Sequence, residues 1–228
     1  MQSSFKLIKY RDYIKQALKR SLPKRDEQIT SLWDTMEKAL YLDTERIEEL
    51  VLLILADSLP LTDDVRKAIE SLSIGWGLTK AANKLLFDLP ALDNQPGLHN
   101  QTTQANALLA ADALHTYAHE YLIRHCPASH CNLFIQELSK ITGHQGVLGH
   151  RSQNDLQQST QDSIQMIKNI LIRDIKDSSI TDEVLEHIIQ LIFDVFENPE
   201  SSAYEELSEI ISRFSLEETA LAEVIESL

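Results

Sequence analysis

Apolar residues recur along this chain at helical spacing almost from end to end, and no segment alternates convincingly with a period of two. Ile188, Leu191, Ile192 and Val195, for example, step by three, one and three residues and so share one stripe of a helix. A chain built this way buries its apolar surface by packing helix on helix. The pattern predicts an all-α protein with helices over about 5–21, 29–41, 45–57, 63–87, 103–124, 130–142, 153–176, 181–196 and 201–226, the last broken near Ser215. Punctuation agrees, since Pro23, Pro60, Pro90, Pro96, Pro127 and Pro199 all fall between these segments. The six glycines lie in the middle third, from Gly75 to Gly149, where turning or close backbone approach is concentrated.

At 228 residues, with 43% apolar and 25% charged side chains, the chain fits one globular domain over residues 1–228. No apolar run reaches the roughly 18 residues of a membrane span, and the first twenty residues have no signal-peptide core, so the expected location is cytoplasmic with no transmembrane segment. Cys126 and Cys131 are too few for a disulfide scaffold and suit a reducing compartment.

The net charge of −14 is uneven: residues 156–228 carry 16 Asp plus Glu against 4 Lys plus Arg, a balance of −12. Such acidity argues against nucleic acid as a partner. The first 25 residues nevertheless hold eight Lys or Arg against Asp12 alone, either as a surface or partner-binding helix or as an ordinary solvated face.

Two stretches carry acids at helix ends. "LLFDLPALDN", residues 85–94, offers Asp88 and Asp93, with Phe87 where a further acid would complete a cluster. "QLIFDVFENP", residues 190–199, repeats the Phe-Asp pair as Phe193-Asp194 and adds Glu197. Carboxylates grouped at helix ends can hold Mg2+ against a diphosphate, whereas Asp beside Pro and Asn is also common turn chemistry.

Read with their neighbours, these stretches resemble the trans-isoprenyl diphosphate synthases, the farnesyl and geranylgeranyl diphosphate synthase family. "LLFDLPALDN" followed by "ANALLAADALHTYAHEYL" is similar to that family's first aspartate-rich motif and next helix, and "IIQLIFDVFEN" to its second aspartate-rich helix. "LSKITGHQGVLGHRSQND" resembles its glycine-rich segment, and "LWDTMEKALYLDTERIEELV" lies in register with the segment ending Gly-Gly-Lys-Arg-x-Arg-Pro. The resemblance covers most of 30–155 and returns at 188–198. It implies a bundle of about eight to ten helices around a central cavity. In intact relatives metal ions ionise an allylic diphosphate, and isopentenyl diphosphate attacks the cation. It also implies Mg2+ on Asp88, Asp93, Asp194 and Glu197, and diphosphate contacts from Arg46 and Arg151.

Departures from the family pattern are as informative. Where its lysine and arginine grip the second substrate's diphosphate, the chain has Glu45 and Glu48, with Arg46 alone retained. The arginine pair after the first acidic motif is replaced by Leu98-His99, and the segment with the family's diphosphate-binding histidine is missing between Thr103 and Asn106. The family's glutamine and aspartate in the glycine-rich segment align with Arg151 and Asn154, and its Lys-Thr-Gly helix has no counterpart. Each anion standing for a cation turns an attraction into a repulsion of about 1 kcal/mol at 4 Å in water, and more in a shielded cleft. The expected function is a divergent homologue with weak or lost prenyl transfer. It would serve as an isoprenoid-binding or regulatory subunit, as a homodimer or a heterodimer with a catalytic homologue. The alternative is an active Mg-dependent prenyltransferase or allylic diphosphate lyase, with Lys80, Lys84 or the basic first helix supplying the missing cations.

"HTYAHEYLIRHCPASHC" offers a competing zinc reading, since His115 and His119 share a helical face with Asp112 one turn earlier. The Cys-x4-Cys spacing and the lack of a second ligand pair favour hydrogen-bonded or solvated histidines instead. Neither cysteine has an identifiable base-and-orienter arrangement for nucleophilic catalysis.

Overall fold

In a computed structural model, residues 5–25, 27–43, 45–87, 102–142, 155–175, 179–199, 201–216 and 219–226 are described. They form ten α-helices: α1 Phe5–Ser21, α2 Thr30–Ala39, α3 Ile47–Ser58, α4 Asp63–Phe87, α5 Gln104–His125, α6 Ala128–Thr142, α7 Asp155–Leu171, α8 Asp182–Glu197, α9 Ala203–Arg213 and α10 Ala220–Ile225. A short 3-10 turn, Glu27–Ile29, leads into α2, and no strand occurs among the described residues.

Local chemistry sets the helix limits. Thr103 and Thr181 cap α5 and α8, their hydroxyls accepting from the amides of Asn106 and Val184 at 3.1 and 3.4 Å. Pro60, Pro127 and Pro199 follow the ends of α3, α5 and α8. The break expected near Ser215 is real. Ser215 takes a left-handed φ of 55°, the Leu216 amide donates to the Ile211 carbonyl at 2.9 Å, and that of Ser215 to Ser212 at 3.2 Å. This is a Schellman closure made with serine in place of glycine, and Leu216 and Ile211, the two residues its longer bond joins, are both buried. The expected helix over 153–176 ends earlier, at Leu171, where the chain turns and Asp174 reaches His130 at 3.0 Å.

The core is built around α3 and α4. Nine of the twelve α3 residues are buried, which makes it an interior helix rather than an amphipathic one. The 25-residue α4 packs chiefly on α5 and α3. Two glycines permit its close approach: a Cβ on Gly75 would stand 3.0 Å from Leu122 of α5, and one on Gly77 would stand 2.9 Å from Leu18 of α1 and 3.0 Å from the Glu49 carboxylate of α3. The α10 start is tied to the end of α3 by the Leu221 amide, which donates to Ser58 Oγ at 2.9 Å.

Candidate functional site: a lysine-centred carboxylate cluster

The loop from α2 to α3 passes through Arg46, a non-glycine residue with a left-handed φ of 51°. Asp43 Oδ1 accepts from the backbone amides of Glu45 and Arg46 at 3.2 and 3.1 Å, and this turn fixes the unusual conformation. Arg46 is thereby folded inward. Only 5% of it is exposed, its guanidinium pairs with the fully buried Glu49 at 3.2 Å, and it donates a second bond to the Leu40 carbonyl.

Lys80, seven residues before the end of α4, points back into the start of α3. Its ammonium lies 2.6 Å from Asp43 and 3.5 Å from Glu49, and it also pairs with Glu48. Asp43, Glu48 and Glu49 bring carboxylate oxygens within 4.8 Å of one another, a spacing able to hold a cation. The cation among them here is the lysine.

The electrostatics follow from this arrangement. Burial, the largest influence, pushes the Glu49 carboxyl above its ordinary value, with Lys80 and Arg46 opposing and Glu48 and Asp43 adding to the push. At Asp43 burial is outweighed by the Lys80 ammonium, which holds the carboxyl below its ordinary value. At Lys80 burial is outweighed by Glu49, Glu48 and Asp43, which hold its proton more tightly than a solvated lysine would.

Of the residues singled out from sequence, Glu48 and Arg46 belong to this cluster, and Glu45 lies at its rim, paired with Arg11 of α1 at 3.0 Å. Asp194 and Glu197 sit on the last turns of α8. Asp194 is half-buried and accepts from Gln190 Nε2 at 2.8 Å, Glu197 is exposed, and Phe193 is buried in the core with no oxygen to offer. Phe87 is the last residue of α4. Asp88, Asp93, Leu98, His99, Arg151 and Asn154 lie outside the described residues.

Sequence reasoning missed Asp43, Glu49 and the placement of Lys80. The signal available was a lysine inside the apolar run "WGLTKAAN", where a buried charge requires a partner. A groove of about 690 Å³ between α1 and α5, lined by residues including Tyr13, Arg20, Tyr121 and Arg124, shares no residue with the cluster.

Two histidines of the histidine-rich segment make internal hydrogen bonds, while His115 Nε2 is buried with no hydrogen-bond partner among the described residues. The His119 ring bonds the His115 carbonyl at 2.8 Å, and His130 bridges Ser129 at 2.8 Å and Asp174 at 3.0 Å. Burial, with Cys131 adding, pushes the Cys126 thiol up to about 12, the opposite of an activated nucleophile.

No protein-family model matches the chain, and no curated protein matches it in sequence. Solved structures do match in shape. A geranyltransferase from Legionella pneumophila superposes with a TM-score of 0.75 at 17% identity, covering 96% of this chain and 94% of that one. An FPP/GFPP synthase from Zymomonas mobilis gives 0.66 at 15%, over 97% and 95%, and a geranyltransferase from Helicobacter pylori gives 0.64 at 18%, over 100% and 96%. The chain has the all-α fold of the isoprenoid synthases. Its resemblance to the trans-isoprenyl diphosphate synthases, drawn from motifs, holds at the level of the fold across nearly the whole length.

Proposed function

We propose that this protein is a divergent isoprenyl diphosphate synthase homologue with weak or lost prenyl transfer, acting as an isoprenoid-binding or regulatory subunit. The observation that carries this reading is the fate of Arg46. The cation retained from the family's diphosphate-gripping segment is buried and bonded to Glu49 and Leu40, and Lys80 is likewise committed to carboxylates. A diphosphate needs cations that face it, and breaking these pairs would strand a buried anion. The repulsion expected from Glu45 and Glu48 is softened by Arg11 and Lys80, so exclusion of the second substrate rests on internal neutralisation more than on bare negative charge.

Mg2+, where it binds, would be held by Asp88, Asp93, Asp194 and Glu197, more weakly than by a full cluster because water replaces each absent carboxylate. Arg151 is the other diphosphate contact assigned by the resemblance. Association with a second copy or a catalytic homologue is supported by Leu108, Leu109 and Ile123, which are large apolar residues left exposed on α5. Isothermal titration with isopentenyl diphosphate in the presence of Mg2+ should show no saturable heat. Micromolar binding would contradict the proposal.

A further inference from the structure

The groove of about 690 Å³ between α1 and α5 has the size of a small-molecule site. Tyr13 and Arg20 stand seven residues apart on α1, as do Tyr117 and Arg124 on α5, so each helix turns one face with an aromatic ring and a guanidinium toward the groove. Tyr121, one turn after Tyr117, adds a third ring. Ile123, on the exposed apolar side of α5, lies about 160° from Tyr121 around the helix, so the groove and that side are different faces of α5.

Two of the rings are fixed by the protein itself. The Tyr13 hydroxyl donates to Glu70 of α4, and the Tyr121 ring lies against His125 with centroids 4.4 Å apart and 32° between the planes. Burial and then the Glu70 carboxylate push the Tyr121 phenol above its ordinary value, with Arg20 opposing, so the α1 guanidinium acts on an α5 ring across the groove. The two guanidiniums differ in their commitments. Arg124 pairs with Glu120 one turn back at 2.5 Å. Arg20 is exposed and donates from Nε to the Gln16 carbonyl at 3.2 Å, and its Nη groups make no hydrogen bond or ion pair among the described residues. Such a fork of donors beside aromatic faces suits a phosphate or carboxylate attached to a planar ring. A lone aromatic acid would leave most of the volume unfilled and give Glu120 no donor. A nucleoside phosphate offers a face to stack, an anion for Arg20 and sugar hydroxyls that donate to Glu120. With a net charge of −14, the chain is better matched to a single nucleotide than to a strand.

We infer that the groove between α1 and α5 is a binding site for a nucleoside monophosphate, with the base against Tyr117 and Tyr121, the phosphate on Arg20 and the sugar hydroxyls on Glu120. The inference stands independently of the isoprenoid-binding reading above, because the groove shares no residue with the lysine-centred cluster.

Every base has a face to stack, so AMP serves as the probe. Equilibrium dialysis of the full chain against AMP, adenosine and inorganic phosphate should show AMP binding at least about tenfold more tightly than either of the others, each of which keeps only part of the contacts. Arg20→Gln, at an exposed position, should weaken AMP about tenfold, the size of one lost charge-assisted hydrogen bond, and leave adenosine unchanged. Tyr121→Leu should weaken AMP and adenosine alike, also about tenfold, through lost stacking. Should Tyr121→Leu fail to fold, the Arg20→Gln result decides alone. Any one of three results overturns the inference: no AMP retained at millimolar concentration, phosphate or adenosine retained as well as AMP, or AMP held equally by the natural protein and Arg20→Gln.

Discussion

Lys80 is the residue on which the cluster turns. Replacing it with methionine keeps the stem but strands Asp43, Glu48 and Glu49 together, and should cost about 3 kcal/mol, the lower end for stripping a buried pair of one partner. The lower end applies because 22% of the lysine side chain stays exposed. Urea denaturation measures it, and adding Glu49→Gln should recover part of the loss. A second residue-level expectation concerns pH. Burial, with help from His119, holds His115 below the ordinary imidazole value, with Asp112 opposing. The unfolded chain therefore protonates this histidine first. Its contribution to stability is complete above about pH 6.5 and declines as pH falls through that value toward the lower folded one. The difference in Tm between the natural protein and His115→Gln, followed from about pH 8 to pH 5, should show the natural protein losing more on acidification. This part of the site was only half legible in sequence. Glu45, Arg46 and Glu48 stand out by position, but Lys80 meets Glu48 across 32 residues of chain, and that meeting depends on how α4 crosses α3.

At the scale of elements the sequence was far easier to read. The limits of α1 and α4 coincide with their expected spans, because apolar periodicity and proline punctuation mark the same places. Half of the six cations of the basic first helix meet acids of other elements: Lys6, Arg11 and Lys19 pair with Glu223, Glu45 and Glu37. What periodicity cannot show is how close two helices come, and the glycines of α4 decide that. Gly77→Ala should destabilise by about 1–3 kcal/mol, since its Cβ meets both Leu18 and the Glu49 carboxylate at about 3 Å. Gly75→Ala should cost less, because its Cβ meets Leu122 alone, whereas that of Gly77 also meets a carboxylate held in place by Arg46 and Lys80. Denaturant midpoints of the two variants check the order, and an equal effect would contradict the packing described for α4.

Across the whole molecule, the order of four degenerate motifs pointed to a fold that structures of 15–18% identity share over nearly the full chain. Motif order and motif chemistry are held by different constraints, because helix packing needs apolar stripes and close contacts, whereas diphosphate chemistry needs particular charges. Among the described residues no helix is long and apolar enough to cross a membrane. We propose that this fold persists here without efficient prenyl transfer, with Arg46 and Lys80 turned inward onto carboxylates. The most direct test incubates the purified protein with isopentenyl diphosphate, Mg2+ and dimethylallyl, geranyl or farnesyl diphosphate in turn, with products read by mass. The expected result is no condensation product, and at most slow hydrolysis or cyclisation of the allylic substrate. Mg-dependent condensation within the common enzyme range of about 1–10³ per second would contradict it.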